Sequence, residues 1–139
     1  MWMVFALLSA FFAAVTSILA KVGIAGMSPY LATAVRTVVV LLMAWAVVLA
    51  GGSQGELFKM TPRNWLFLVL SGIATGLSWL FYFLALDKGD VSKVAPIDKS
   101  SLVLVILFSF LFLHEKMTPG TLAGGALITA GTLVIVFWK

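Results

Sequence analysis

The chain has 139 residues, 63% of them hydrophobic and 10% charged, which is far from the roughly 25% charge of water-soluble domains. Its formal net charge of +4 is spread singly between apolar runs, so no basic cluster exists to follow a phosphate backbone and nucleic acid is excluded as a partner. Cysteine is absent, which removes disulfides, thiolate catalysis and thiolate-bound metals.

Runs of about 20 apolar residues are long enough to cross a ~30 Å hydrocarbon core as helix. Five can be read: Trp2 to Ala20, Tyr30 to Ala50, Asn64 to Leu86, Val91 to Leu113 and Pro119 to Trp138. The fold class is therefore an all-α integral membrane protein with five transmembrane helices. The first run has no Lys or Arg ahead of it, so it reads as a retained span rather than a signal peptide. Gly26 with Ser28-Pro29, Gly51-Gly52-Ser53, Asp87-Lys88-Gly89-Asp90 and Thr118-Pro119-Gly120 punctuate the breaks. Trp2, Trp65 and Trp138 fall at span ends, where indoles anchor in the headgroup region.

In span one, Ser9, Ala13, Thr16 and Ala20 share a face suited to close packing or to lining a cavity. Span two holds Arg36 six residues from Tyr30, about 9 Å along the axis. Span three carries Ser71, Thr75, Ser78 and Tyr82 along one stripe, with Gly72, Gly76, Trp79 and Phe83 beside it. The stripe suits an amphipathic ligand, with Thr75, Ser78, Trp79 and Tyr82 as substrate-binding candidates. The alternative is helix packing, with each hydroxyl bonded to its own backbone. Gly72 and Gly76 form a GxxxG signal for close packing.

Span four contains the unusual stretch from Val94 to Ser101, where Asp98 and Lys99 stand inside an apolar segment. A charge well inside a membrane helix costs roughly 2.5–3.5 kcal/mol on insertion scales, so it marks a functional candidate. Asp98 lies at nearly the depth of Arg36, and Arg36–Asp98 is the preferred intramembrane pair, with snorkelling of Arg36 the alternative. Asp98 and Lys99 point about 100° apart on a continuous helix and are not expected to partner each other. Ser101 shares the face of Asp98 and joins the substrate-binding candidates. The lone His114 gives no metal site. Span five carries Gly120, Gly124 and Gly131 on one stripe and Thr121, Gly125 and Thr132 on another, the profile of a packing helix.

The loops and tails on the N-terminal side hold Lys59, Arg63 and Lys116, against Lys21, Lys88, Lys93 and Lys139 on the other. Three against four is almost no positive-inside bias, so the chain is expected to insert both ways and form an antiparallel homodimer.

These residues together resemble the EamA domain of the drug/metabolite transporter superfamily. The resemblance rests on Lys21, on Ser28-Pro29 followed by Arg36, and on Trp79 to Leu86 leading into Gly89. It continues through Val94-Ala95-Pro96, then Glu115 with Met117-Thr118, and the segment from Gly124 to Gly131. It implies that residues 1–139 form a single EamA-like five-helix domain, one half of an inverted-repeat transporter fold. Spans one to four would enclose the path while span five packs outside. Three positions depart from the family pattern. Leu102 stands where duplicated members often have a mid-span proline, so span four is expected to run unbroken. Asp98 or Lys99 replaces an uncharged residue, and His114 replaces glycine.

The function so implied is a secondary transporter, an exporter of small organic metabolites or drugs. It would work by alternating access as an antiparallel homodimer in a bacterial or archaeal cytoplasmic (inner) membrane. Its partners would be a small-molecule solute and membrane lipid, and no cofactor is expected. Asp98, Arg36 and Lys99 are the candidates for a charge pair or ion coupling. A non-transporting membrane scaffold and a lipid-carrier flippase subunit are the competing readings. An enzyme is not expected, since the chain has no Cys, one interfacial His and no paired carboxylates.

Overall fold

The structure, a computed structural model, describes residues 1–138. Lys139, counted above in the charge balance, lies outside the described residues. The elements are α1 (Trp2–Gly23), α2 (Pro29–Ala50), a 3-10 helix (Ser53–Lys59), α3 (Pro62–Lys88), α4 (Val91–Lys99), α5 (Ser101–Leu113) and α6 (Pro119–Phe137). No strand occurs among the described residues. Five stretches, with α4 and α5 taken together, are long and apolar enough to span a membrane, in agreement with the five sequence runs. Helix is the form such runs must take, because lipid offers no partner for an unbonded N–H or C=O. Spans one, two and three extend a few residues beyond their apolar runs, reaching Gly23, beginning at Pro29, and running from Pro62 to Lys88.

Local chemistry sets the helix ends. Pro29, Pro62 and Pro119 each open a helix, where the missing N–H would have had no partner in any case. The Thr118 hydroxyl accepts from the Thr121 amide at 3.1 Å and caps α6, and the Thr61 hydroxyl accepts from Asn64 at 3.2 Å at the start of α3. Gly52, at φ 69°, turns α2 into the 3-10 helix. At the end of α5 the left-handed position is filled by His114, at φ 56°, where glycine is the usual residue. Within the spans, hydroxyls bond back to the preceding turn: Thr33 to Pro29, Thr37 to Thr33 and Thr129 to Gly125, at 2.8–2.9 Å.

The chain forms two compact units, Ile18–Lys88 and Met1–Ser17 with the chain from Gly89 onward. In the Ile18–Lys88 unit, α2 packs along α3. This unit holds the buried apolar side chains Ala20, Ile24, Ala32, Phe83 and Leu86. The Lys21 ammonium donates to the Leu86 carbonyl, which ties the end of α1 to the end of α3. Lys21 is therefore a helix-to-helix tether as well as a loop charge.

In the other unit, α6 packs against α4 and α5. Gly125 is buried at the α5–α6 contact, and a methyl group built on it would come to 3.2 Å from Ile106 Cδ1. This agrees with the packing role expected for span five and assigns it to the Gly125 stripe. Gly72 and Gly76, by contrast, have nothing within 4 Å of where a Cβ would stand, so their close-packing signal is unused among the described residues of the Ile18–Lys88 unit.

Span four is interrupted at the single residue Ser100, whose backbone stays in the right-handed region. The helix runs unbroken through Leu102 as expected, and the expectation of an unbroken span is corrected at Ser100 alone. Pro96 has no N–H for the carbonyl one turn back. Four residues later the Ser100 amide donates to Ile97 at 3.0 Å, and Val103 donates to Ser100 at 3.1 Å, so the chain passes through a tighter i to i+3 turn. The Ser100 hydroxyl reinforces the turn with a 2.6 Å bond to the Ile97 carbonyl. Thr132 Oγ1 lies 2.9 Å from the Ile128 carbonyl and 3.4 Å from that of Pro96. A hydroxyl has one proton, and the shorter bond holds it, so the Pro96 carbonyl is only weakly satisfied.

Candidate functional site

Trp79 and Phe83 are four residues apart on α3 and so lie one above the other on one helix face. Arg36 of α2 meets them there. Its guanidinium carbon stands 4.5 Å from the centroid of the Trp79 ring and 5.6 Å from that of Phe83. Phe83 is 3% exposed and forms the floor, while Arg36 and Trp79 are half-buried and form the open rim. A cation over an aromatic face is stabilised by about 0.5–2 kcal/mol, more as water is removed. Among the described residues of the same unit, no carboxylate lies within ion-pair distance of Arg36. A guanidinium carries five N–H donors and no acceptor, so Arg36 can donate to an acceptor on a solute.

The other candidates on α3 surround this centre. Thr75 lies one turn before Trp79, and its hydroxyl donates to the Ser71 carbonyl at 2.9 Å, the backbone-bonded alternative foreseen for the stripe. Ser78 is exposed beside Trp79, and Tyr82 is half-buried one turn beyond Ser78. Four of the five substrate-binding candidates thus share one helix, with Thr75, Ser78 and Tyr82 beside Trp79. Ser101, the fifth, is an exposed residue at the first position of α5 in the other unit.

Asp98 and Lys99 are arranged differently from the expectation. Lys99 Nζ lies 3.5 Å from Asp98 Oδ2, with the two side chains 57% and 37% exposed. The expectation assumed a continuous helix, whereas Lys99 is the last residue of α4, where its long stem can fold back along the chain end. An exposed pair at this distance contributes little, about 0–1 kcal/mol. No cluster of metal-ligating side chains occurs among the described residues.

Sequence reading missed Phe83 as the second ring under Arg36 and Lys21 as the donor to Leu86. The first had a usable signal in its i+4 spacing from Trp79. The second had none, because 65 residues separate Lys21 from the carbonyl it reaches.

Comparison with known proteins agrees with this architecture. The EamA-like transporter family matches over residues 1–137, and the chain belongs to that family. It is an integral, multi-pass membrane transporter. It is 49% identical over 134 residues to an uncharacterized transporter in the cobO 3'region of a Sinorhizobium species, a match covering 96% of this chain and 95% of that protein. It is 31% identical over 84 residues to purine permease 3 of Arabidopsis thaliana, covering 60% of this chain and 24% of the permease. The uncharacterized transporter YvbV of Bacillus subtilis is 34% identical over 68 residues, covering 49% of this chain and 22% of its own length. No solved structure matches.

Proposed function

We propose that this protein is a secondary transporter that exports small organic metabolites or drugs. It works by alternating access as an antiparallel homodimer in a bacterial or archaeal cytoplasmic membrane, each chain acting as one five-helix domain. The observation that carries this reading is the Arg36 guanidinium held on Trp79 and Phe83 inside two membrane-spanning helices. A flat apolar solute can stack on the rim beside Trp79 while the N–H edge of Arg36 takes an acceptor on it. Thr75, Ser78 and Tyr82 supply flanking polar groups, and Ser101 a further hydroxyl. The likeness to a purine permease supports a planar solute.

The homodimer is supported by the near-equal loop charge and by Gly72 and Gly76, an open small-residue face that a second copy could approach closely. Asp98, Arg36 and Lys99 form the coupling group of the same proposal. Arg36 exchanges its place on the rings for the Asp98 carboxylate during the cycle, and Lys99 then loses its partner.

Proteoliposomes containing only this protein provide the test. A panel of planar solutes, including purines, should show saturable uptake that Trp79→Ala lowers about tenfold and Trp79→Phe largely retains. No uptake of any member by well-assembled protein would favour the scaffold reading. Reporters fused to the C-terminus should register on both sides of the membrane, and a single location would replace the homodimer with an oppositely oriented partner.

A further inference from the structure

The connection between α2 and α3 must lie at a membrane surface, because the helices on either side of it span the bilayer. It is folded as a 3-10 helix, Ser53–Lys59. With three residues per turn, side chains at i and i+3 eclipse and form straight ridges. Ser53, Glu56 and Lys59 make one ridge, and Leu57 belongs to the next; all four line an open groove of about 650 Å³. The remaining ridge carries only Phe58 beyond two glycines. Phe58 does not line the groove and is 91% exposed, as suits a ring inserted among lipid. The far wall is mostly apolar, made by Trp45 and Val48 near the end of α2 and by Leu68 in α3, with Asn64 the one polar side chain on it.

The groove therefore has an unusual distribution of chemistry. One ridge offers a carboxylate and an ammonium a single turn apart, and among the described residues neither is in an ion pair. The wall below them offers an indole and aliphatic carbons facing the bilayer. A soluble anion would use Lys59 and leave Glu56 opposing it. A zwitterion with phosphate and ammonium a few bonds apart satisfies both charges at once, and only an acyl chain makes use of Trp45 and Leu68.

We propose that this groove is a binding site for a phospholipid with a primary-amine headgroup, phosphatidylethanolamine. The lipid ammonium sits on Glu56, its phosphate on Lys59, and its acyl chain runs down the Trp45–Leu68 wall. A primary ammonium can donate to the carboxylate, whereas the trimethylated head of phosphatidylcholine has no N–H to give. The site lies apart from Arg36 and Trp79, and its occupancy does not depend on what the protein transports.

The test uses the full chain in nanodiscs of equimolar phosphatidylethanolamine, phosphatidylcholine and phosphatidylglycerol, released for native mass spectrometry. The expected result is one tightly retained phosphatidylethanolamine, enriched about fivefold over each of the other lipids, the factor for one interfacial charge contact. Glu56→Gln should remove the preference over phosphatidylglycerol, and Lys59→Gln should lower retention of all three lipids, since each carries a phosphate. These are exposed polar positions, and a helical circular dichroism spectrum equal to wild type verifies folding. Equal retention of all three lipids, or a preference unchanged in Glu56→Gln, overturns the proposal. Because the chain has no native cysteine, Ser53→Cys gives a clean second arm. Efficient disulfide crosslinking of two copies through it would put a protein segment in the groove and overturn the lipid reading.

Discussion

The two units of this molecule handle charge within apolar helices in opposite ways. In Ile18–Lys88 the cation of Arg36 is laid on two aromatic rings above a buried Phe83, and Lys21 is bonded to a helix-end carbonyl. In the other unit Asp98 and Lys99 form a loose exposed contact at the end of a broken helix. The first arrangement rests on two rings of one neighbouring helix. The second depends on one long side chain and a turn made by Pro96 and Ser100. The difference teaches that a cation in an apolar helix is held either by rings on a neighbouring helix or by an adjacent side chain at a helix end.

The charges supply the strongest way to break this comparison. If Arg36 and Asp98 alternate as proposed, Arg36→Gln and Asp98→Asn should each impair the protein in detergent, and the double variant should recover assembly. Two single variants that unfold and transport like wild type would separate the two charges entirely. A double variant that assembles and transports at the wild-type rate would leave the pair a strut.

The broken span is tested by Pro96→Ala. An alanine can donate to the Ser92 carbonyl one turn back, so α4 should gain roughly 1–3 kcal/mol in stability. Amide exchange within α4 should slow at least tenfold, by about the same free energy, and slowing that extends to Ser100 and Val103 would tie the turn to the proline. Transport should fall if the break is used as a hinge, and a faster carrier with a repaired helix would show that it is not.

The smallest expected effect sharpens the end of the same span. His114 occupies a left-handed conformation that glycine adopts without a Cβ clash. His114→Gly should stabilise the chain by about 1 kcal/mol in thermal unfolding, and an unchanged or lower midpoint would show that the imidazole makes up the difference.

Much of this protein was legible in its residues because the governing rules are local. Chain length and apolarity define the spans, since every backbone group in lipid must be bonded within its own helix. Proline, glycine and threonine punctuate the helix ends through their own dihedral limits and hydroxyls, as Thr118 and Gly52 do. The resemblance drawn from scattered motifs also gave the right family. The candidate site was legible in part, because Trp79 and Tyr82 stand out as aromatic residues along a polar helix stripe.

What the sequence by itself determined is thus the number, extent and polarity of the helices. Only the tertiary structure decided that Arg36 lies on Trp79 and Phe83, that Lys21 reaches Leu86, and that span four turns at Ser100. It also decided that three residues of a loop align as one ridge beside a mostly apolar wall. The physical reason is the range of the interactions. Helix formation is settled within a few residues, whereas the partner of a guanidinium or an ammonium depends on which distant helix packs beside it. The turn at Ser100 shows how close the two regimes come, since its amide takes the nearby Ile97 carbonyl while the hydroxyl of distant Thr132 comes within 3.4 Å of the Pro96 carbonyl.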